Sequence, residues 1–265
     1  MSLQLVKQLW YYRGFIFGSV KREFQSRYRN SLFGSLWTVL NPLASISIYL
    51  IIFSRLMNSR LPGTTDSMAY GIYLCSGILT WGLFSDIINR CLNVFVDNAN
   101  LIKKLSFPRI CLPIIIVISA GLTFIIAFGL FLIFLLLAGK FPARQIWALP
   151  VILLIQMSFS VGLGIILGIA NVFFRDVSQF IGIFLQLWFW FTPIVYPITI
   201  LPAFIQKLVM VNPMTHIMAA YQTILVNGSR PQWINLIWVA IFVILLCFVG
   251  VRMYQQRCGE IVDEL

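Results

Sequence analysis

Three stretches of the chain each run for about thirty residues without an Asp, Glu, Lys or Arg: Ile110–Gly139, Gln145–Phe174 and Val177–Gln206. An α-helix rises about 1.5 Å per residue, so each stretch is long enough to cross a hydrocarbon core about 30 Å thick. A charged side chain at the bilayer centre costs about 3 kcal/mol on insertion scales. The exclusion of charge over such lengths predicts a polytopic membrane protein of the all-α class.

The composition supports this class. Hydrophobic residues make up 60% of the chain and charged residues 10%, whereas a soluble domain carries about 25% charge. The net charge of +11 favours membrane topology over nucleic-acid binding, because Lys and Arg concentrate on the cytoplasmic side of membrane proteins. The cysteines form no CxxC pair and indicate neither a disulfide framework nor a metal site. They are Cys75, Cys91, Cys111, Cys247 and Cys258.

Uncharged runs predict six transmembrane helices, with approximate bounds 30–55, 67–90, 110–138, 146–174, 178–197 and 231–251. The run Leu208–Gly228 is unusually polar, so we interpret residues 202–228 as short re-entrant gate helices between spans five and six. A seventh crossing is the alternative. Six crossings place both termini, and most of the 19 Lys and Arg residues, on one side, which the positive-inside rule assigns to the cytoplasm.

Residues 1–29 precede the first span and are predicted to form an amphipathic helix in the membrane interface. At about 100° per residue, its apolar side chains share one side. They are Val6, Leu9, Trp10, Ile16, Phe17, Val20, Phe24 and Tyr28. Its basic residues either anchor the topology or bind an anionic lipid head group. Arg suits the second role because its planar guanidinium donates two hydrogen bonds to a phosphate. These residues are Lys21, Arg22, Arg27 and Arg29.

Three runs of the sequence carry a resemblance to a known family. They are EFQSRYRNSLFGSLWTVLNP at 23–42, NLIKKLSFPRICLP at 100–113 and NVFFRDVSQ at 171–179. In this order, together with the number of spans and the polar segment before the last span, they resemble ABC-2 type permeases. The match is closest to the branch that exports O-antigen, capsule or teichoic acid chains, and it covers nearly the whole chain.

This resemblance implies a half-transporter. Two copies of the chain would form the channel as a homodimer in the bacterial inner membrane, and two copies of a separate ABC ATPase would bind ATP and Mg. The implied substrate is a glycan linked to a polyprenyl pyrophosphate carrier. The residues agree, because the Gly139-Lys140 pair has Phe134 where a GxxxxGK[ST] phosphate loop needs its first Gly. We therefore expect neither a cofactor nor an enzymatic activity in this chain.

Residues 97–109 are interpreted as a cytosolic coupling segment, which the family docks into the ATPase. Apolar side chains among basic ones suit a partner surface, and a solvated positive loop is the alternative. The residues concerned are Leu101, Ile102, Lys103, Lys104, Leu105, Phe107 and Pro108. Arg175 and Asp176 form a charged pair between spans four and five. This pair either fixes the depth of the helix ends or contacts the ATPase.

Two sets of side chains are interpreted as the lining of a conduit. In span one, Trp37, Asn41, Ser45 and Tyr49 recur at every fourth position. Polar side chains along one helix face are more compatible with a water-filled passage than with contact to lipid. Span five adds aromatic faces that stack on sugar rings, namely Phe184, Trp188, Trp190 and Phe191. The alternative for both sets is packing or an interfacial aromatic belt.

Two prolines break the outer end of span five, and the family places short gate helices after this point. Pro193, Tyr196 and Pro197 are therefore assigned to an outer gate. His216 lies in the following polar segment. Because no carboxylate stands near it in the sequence, we interpret it as a hydrogen-bonded gate residue rather than a proton relay.

Two local patterns predict packing. Asp86 and Arg90 stand at positions i and i+4 with the acid first, which favours an ion pair along one helix. Gly164 and Gly168 form a GxxxG motif, continued by Gln156 and Ser160 along the same row. Small residues at this spacing predict the close approach of a second helix.

The leading hypothesis is a permease subunit that moves lipid-linked polysaccharide of the O-antigen or capsule type. An ABC-2 exporter of drugs or lipids would share the same helices without needing a continuous aromatic conduit. A membrane-embedded glycosyltransferase acting on polyprenyl phosphates is the candidate from another class. Such an enzyme needs carboxylates to hold a metal or take a proton, and the eight acidic residues of this chain are scattered.

Overall fold

The computed structural model describes residues 7, 10–27, 33–52, 61, 68–104, 108–257, 259–260 and 264. Their regular structure is helical, with no strand in this part of the chain. The α-helices are α1 (Arg13–Arg27), α2 (Trp37–Ile51), α3 (Ala69–Asp97), α4 (Ala99–Lys104), α5 (Cys111–Leu137), α6 (Ala148–Phe173), α7 (Asp176–Phe191), α8 (Ala203–Val211), α9 (Pro213–Asn227) and α10 (Trp233–Arg257). Short 3-10 turns occupy Gly34–Leu36 and Ile198–Ile200.

Four of these helices, α3, α5, α6 and α10, are long and apolar enough to cross a membrane. The chain is therefore a multi-pass membrane protein. The helices at the first and fifth predicted spans are shorter: α2 has 15 residues and α7 has 16. At 1.5 Å per residue they reach about 24 Å, less than the hydrocarbon core. Residues 30–32 and 53–55 of the first predicted span lie outside the described residues, so six crossings stay a prediction.

Helix α3 lies at the centre of the bundle. Phe84, Ile87, Ile88, Cys91 and Phe95 along it are all fully buried. Among the four long helices α3 is the least apolar and the most buried, whereas α10 is among the most apolar and is the least buried. This order is expected in a membrane, because lipid solvates apolar side chains and helices associate through close packing instead.

The GxxxG motif of α6 packs directly on α3. A Cβ atom added at Gly164 would lie 2.7 Å from Cys91 Cβ, and one added at Gly168 would lie 2.5 Å from the main-chain oxygen of Cys91. Gln156 continues the row and donates from Nε2 to the carbonyl oxygen of Thr80 at 2.7 Å. The close packing predicted from the spacing of small residues is therefore confirmed.

Helix α6 also packs closely on α10, through a second row of small residues. A Cβ atom at Gly250 would lie 3.2 Å from the main-chain oxygen of Gly162. One at Gly162 would lie 3.0 Å from Cys247 Sγ. Helix α6 is thus held between α3 and α10 with its main chain close to both.

Helix α1 packs along the first part of α5, and its position in the membrane interface stays a prediction. Ile16 and Val20 are buried against Cys111 and Ile115. Other members of the predicted apolar side, such as Phe17, remain exposed. The apolar residues of α1 therefore divide between the protein and the surroundings.

Replacing Gly168 by Ala is expected to destabilise the protein by about 1–3 kcal/mol, because the added methyl group meets the main-chain oxygen of Cys91 and must push α6 away from α3. Gly129 is the matched control, since an added Cβ there meets no atom within 4 Å. Thermal unfolding in detergent should give a lower midpoint for Gly168→Ala and an unchanged or higher one for Gly129→Ala. Equal midpoints would show that the α3–α6 contact tolerates separation.

Candidate transport pathway

The chain turns inward after α7, in the segment 192–197 that we call the outer loop. Pro193 and Pro197 have no amide hydrogen and cannot continue a helix. Helix α7 accordingly ends at Phe191. Thr192 and Ile194 are fully buried. The outer loop is therefore a packed part of the protein and not a surface connection.

Side chains of α3 and α9 hold the outer loop through its carbonyl oxygens. Tyr70 donates its hydroxyl to Val195 O at 2.7 Å. The Tyr73 hydroxyl lies 2.8 Å from Pro193 O and 2.9 Å from Tyr196 O. Gln222 Nε2 of α9 donates to Pro193 O at 3.2 Å. These contacts supply the donors that a proline-rich loop lacks, and we call them the outer clamp.

A small residue makes room for the outer clamp. A Cβ atom at Gly77 would lie 3.1 Å from Ile194 Cγ2 and 3.3 Å from Ile194 O. Gly77 stands one turn after Tyr73 on the same side of α3, so the loop fits against a groove in the helix. The sequence predicted the break at the prolines but not these partners. Its only signal was a pair of tyrosines, three residues apart, near the start of α3.

The start of α9 is tied to the outer loop by a single asparagine. Asn212 accepts a hydrogen bond from Met214 N at 3.0 Å and so caps α9. Its Nδ2 donates to Thr192 Oγ1 at 3.0 Å. His216 Nε2 lies 2.8 Å from Met210 O, which joins α9 to the end of α8. The hydrogen bond expected for His216 is present, and its role in gating stays a prediction.

The predicted stripe of the first span shares one cavity. Trp37, Asn41, Ser45 and Tyr49 of α2 all border a space of about 340 Å³ between α2, α3 and α5. Cys75 and Leu79 of α3, with Thr123 and Ala127 of α5, form the facing walls. Asn41 and Ser45 are exposed there. We call this space the stripe cavity. The polar groups of α2 border it from the helix face that their spacing predicts.

The aromatic residues of α7 separate into two groups. Trp188 packs edge-on against Phe84 with ring centroids 5.2 Å apart, and it also meets Trp81 at 6.2 Å and Phe159 at 6.3 Å. It is therefore half-buried against α3 and α6, and its place in a channel lining stays a prediction. The other three members of the set keep large exposed faces; they are Phe184, Trp190 and Phe191.

At the end of the bundle that the sequence predicts to be cytoplasmic, a charged network joins α1 to the spans. Arg90 Nη2 donates to Glu23 Oε1 at 2.6 Å, and Ser119 Oγ donates to the same oxygen at 3.0 Å. The predicted ion pair of Arg90 with Asp86 is also present, with 3.5 Å between Nη1 and Oδ2. We call Glu23, Arg90 and Ser119 the inner network. Sequence spacing alone could not reveal it, because Glu23 and Arg90 stand 67 residues apart.

Arg22 of α1 borders a cavity of about 320 Å³ that Glu23 and Arg90 of the inner network also line. Arg22 donates from Nη2 to Ser19 Oγ at 2.8 Å. Lys21 is exposed. Arg29 and the side chain of Arg27 lie outside the described residues. Carboxylates border the same cavity, so its lining is electrically mixed.

The coupling segment is partly built into the bundle. Ile102 of α4 is buried and Leu101 is half-buried, both in contact with the main core. Lys103 is exposed and Pro108 is half-buried. Ile102 therefore holds α4 against the spans, which leaves Lys103 facing outward. Leu105, Phe107 and the side chain of Lys104 lie outside the described residues.

A buried asparagine organises the connection between α6 and α7. Asn171 Nδ2 donates to Leu92 O at 3.0 Å, and its Oδ1 accepts from Ser178 N at 3.2 Å. The neighbouring Arg175 and Asp176 are exposed, and no ion pair joins them in the described part of the chain. Asp176 begins α7, where a negative charge favours the helix N-terminus. This geometry fits the helix-end interpretation and leaves both side chains accessible.

Replacing Tyr73 by Phe is expected to loosen the outer loop at a cost of about 1–3 kcal/mol, because the carbonyl oxygen of Tyr196 loses the hydroxyl donor and that of Pro193 keeps only Gln222 Nε2. Hydrogen–deuterium exchange of peptides covering 192–201 should then speed up. Tyr11→Phe is the control, since the Tyr11 side chain is largely exposed. Unchanged exchange in Tyr73→Phe would mean that packing alone holds the loop.

Comparison with known proteins identifies the family. The model of the ABC-2 type transporter family matches residues 16–226. The O-antigen export system permease proteins RfbA of Myxococcus xanthus and Klebsiella pneumoniae are each 29% identical, over 99% of this chain and 100% of their own length. The polysialic acid transport protein KpsM of Escherichia coli is 23% identical over 89% of this chain and 90% of its own. The protein is a member of the ABC-2 type transporter family.

Proposed function

We propose that this protein is the membrane subunit of an ATP-driven exporter that moves lipid-linked polysaccharide of the O-antigen or capsule type across a bacterial inner membrane. The observation that carries the proposal is the full-length similarity to relatives named for O-antigen export. The similarity to a polysialic acid transporter supports the same substrate class. In this proposal both termini are cytoplasmic, and α2 and α7 supply the first and fifth of six crossings.

The conduit would be completed by a second copy of the chain. Helices α2 and α7 are short, yet each exposes a row of large side chains, including Trp37 on α2 and Trp190 on α7. A homodimer that joins these faces would enclose an aromatic passage and cover them from lipid. The stripe cavity would then line the passage with the polar groups of Asn41 and Ser45. Aromatic and polar surfaces together would bind a glycan whatever the glycosidic linkage between its sugars.

Energy would reach the spans from a separate ATPase, two copies of which would bind ATP and Mg. The accessible positions at the predicted cytoplasmic end are Lys103 of the coupling segment and the exposed pair Arg175 and Asp176. Movement of α4 would pass into the core through buried Ile102. The inner network would carry α1 along with α3, because Glu23 and Arg90 are joined directly.

The polyprenyl pyrophosphate head group would first meet the basic side of α1. Lys21 and Arg22 are exposed on this helix, and Arg27 and Arg29 follow in the sequence. Each basic residue near an anionic lipid surface contributes about 1 kcal/mol. The four residues together would concentrate the substrate at the entrance to the stripe cavity.

Changing Arg27 and Arg29 together to Gln is expected to weaken head-group binding by roughly thirtyfold, because two contributions of about 1 kcal/mol each are lost. The assay is surface polysaccharide in a strain that lacks its own permease and expresses this chain with its ATPase. Lys207→Gln with Arg230→Gln is the matched control, since it removes the same charge from the predicted outer side. Normal surface polysaccharide at normal protein level in the double Arg variant would refute the entrance role.

An ABC-2 exporter of drugs or lipids is the second candidate, because the family match at residues 16–226 does not by itself specify a substrate. Replacing Trp37 and Asn41 by Ala discriminates the two. A stacking contact is worth about 0.5–1.5 kcal/mol, so polysaccharide export should fall roughly two- to tenfold. Trp238→Ala is the control, since Trp238 is exposed on α10. Unaltered export in the Trp37 and Asn41 variant would favour a substrate that needs no such conduit.

A further inference from the structure

A groove of about 670 Å³ lies between α6 and α10, and we call it the lateral groove. Its volume is within the range of small-molecule sites, about 300–1,000 Å³. Leu154 and Ile155 line it from α6, and Ala240, Ile244 and Phe248 line it from α10. Leu154, Ile244 and Phe248 are exposed. The lateral groove therefore opens on the surface of the bundle, apart from the stripe cavity and the outer loop.

The α10 side of the lateral groove changes from apolar to polar along the helix. Residues 231–251 contain no Asp, Glu, Lys or Arg, and Arg252 is the first charged residue after them. Arg252 and Gln255 line the groove, and both are exposed. In a membrane helix, such a boundary marks the level at which hydrocarbon gives way to lipid head groups. The lateral groove thus has apolar walls and one cationic end.

The length of the lateral groove matches one leaflet of a bilayer. Its lining on α10 runs from Ala240 to Gln255, which at 1.5 Å per residue spans about 22 Å. A bilayer with its head groups is about 40–45 Å thick, so one leaflet measures about 20–22 Å. The predicted topology puts the Arg252 end in the cytoplasmic leaflet. A single lipid molecule would therefore reach from one end of the groove to the other.

An aromatic side chain positions the cation at this end. The guanidinium carbon of Arg252 lies 5.4 Å from the centroid of the Phe248 ring, one turn earlier on α10. A guanidinium that stacks on an aromatic ring keeps the N–H donors at its edge, and these suit the oxygens of a phosphate. Because Arg252 is exposed, a ligand in the lateral groove can reach those donors.

We infer that the lateral groove binds one anionic glycerophospholipid of the surrounding bilayer. An acyl chain lies along the apolar walls, and the phosphate accepts hydrogen bonds from Arg252 and the amide of Gln255. A free phosphate ion would match only the cationic end. A zwitterionic lipid would match the walls equally well, but its own cation would weaken the attraction to Arg252. The charge of Arg252 therefore selects a lipid with a net negative head group, whatever substrate the protein exports.

The test measures lipid binding to the full-length chain in detergent by native mass spectrometry. The probes are phosphatidylglycerol, which is anionic, and phosphatidylcholine with the same acyl chains. The unsubstituted chain should bind phosphatidylglycerol about fivefold more tightly, the factor that one basic residue contributes near an anionic lipid. Arg252→Gln should remove this preference. Arg257→Gln is the matched control, since Arg257 is exposed on the same helix but does not line the groove.

Two further measurements connect the binding to the lateral groove. Ala240→Phe fills the apolar part and should weaken the binding of both lipids, whereas Val249→Phe, at an exposed position of α10 outside the groove, should not. The midpoint of thermal unfolding should rise with phosphatidylglycerol in the unsubstituted chain and in Arg257→Gln. It should not rise in Arg252→Gln, because a ligand stabilises a protein only by binding its folded state.

Four outcomes would overturn the inference. They are an unchanged preference for phosphatidylglycerol in Arg252→Gln, an equal loss of preference in Arg257→Gln, equal weakening by Ala240→Phe and Val249→Phe, and displacement of the lipid by inorganic phosphate. Conversion of a dimer into a monomer by Ala240→Phe, read from the same spectra, would assign the groove to a second copy of the chain and would also overturn it. None of these measurements requires export, so their failure leaves the proposed function standing.

Discussion

The contact between the main chains of α3 and α6 is the constraint on which the rest of the structure depends. In lipid there is no hydrophobic effect to drive helices together, so close packing and hydrogen bonds must do it. Gly164 and Gly168 remove the side chains that would hold α6 away from Cys91. The second row, Gly162 with Gly250, brings α10 to the other side of α6. The positions of these glycines therefore decide which helices bring their main chains close together, and in what order they pack.

Because α3 is fixed at the centre of this stack, it organises both ends of the candidate pathway. Tyr73 holds the outer loop near one end of the helix, and Arg90 holds α1 near the other. The two residues are about 25 Å apart along the axis, from the rise of a helix. The outer clamp and the inner network thus lie on one helix.

Part of the candidate site could be predicted from sequence, because it depends on periodicity within one helix. The stripe from Trp37 to Tyr49 shares a face at every fourth residue, and these side chains do border one cavity. The close approach at Gly164 and Gly168 followed from the same kind of spacing. The prolines predicted the end of α7 for an equally local reason, the missing amide hydrogen. The function of the stripe as a conduit stays a prediction.

What sequence spacing could not reveal depended on which helix lies opposite. The predicted ion pair of Asp86 with Arg90 is present, and Glu23 adds a closer partner because α1 lies along α5 beside α3. The contacts of Trp188 with Phe84 and Phe159 and the burial of Ile102 likewise depend on which helices meet. The roles of these two residues in the channel lining and in coupling stay predictions.

The sequence by itself determined that this is an all-helical membrane protein, where its long helices run and which residues share a face of each. Those properties follow from the cost of charge in lipid and from the period of the helix, and both act locally. Only the tertiary structure decided that α3 is central and that Tyr73 and Gln222 hold the outer loop. Those facts depend on contacts between residues far apart in the chain, and no local pattern specifies which helices meet.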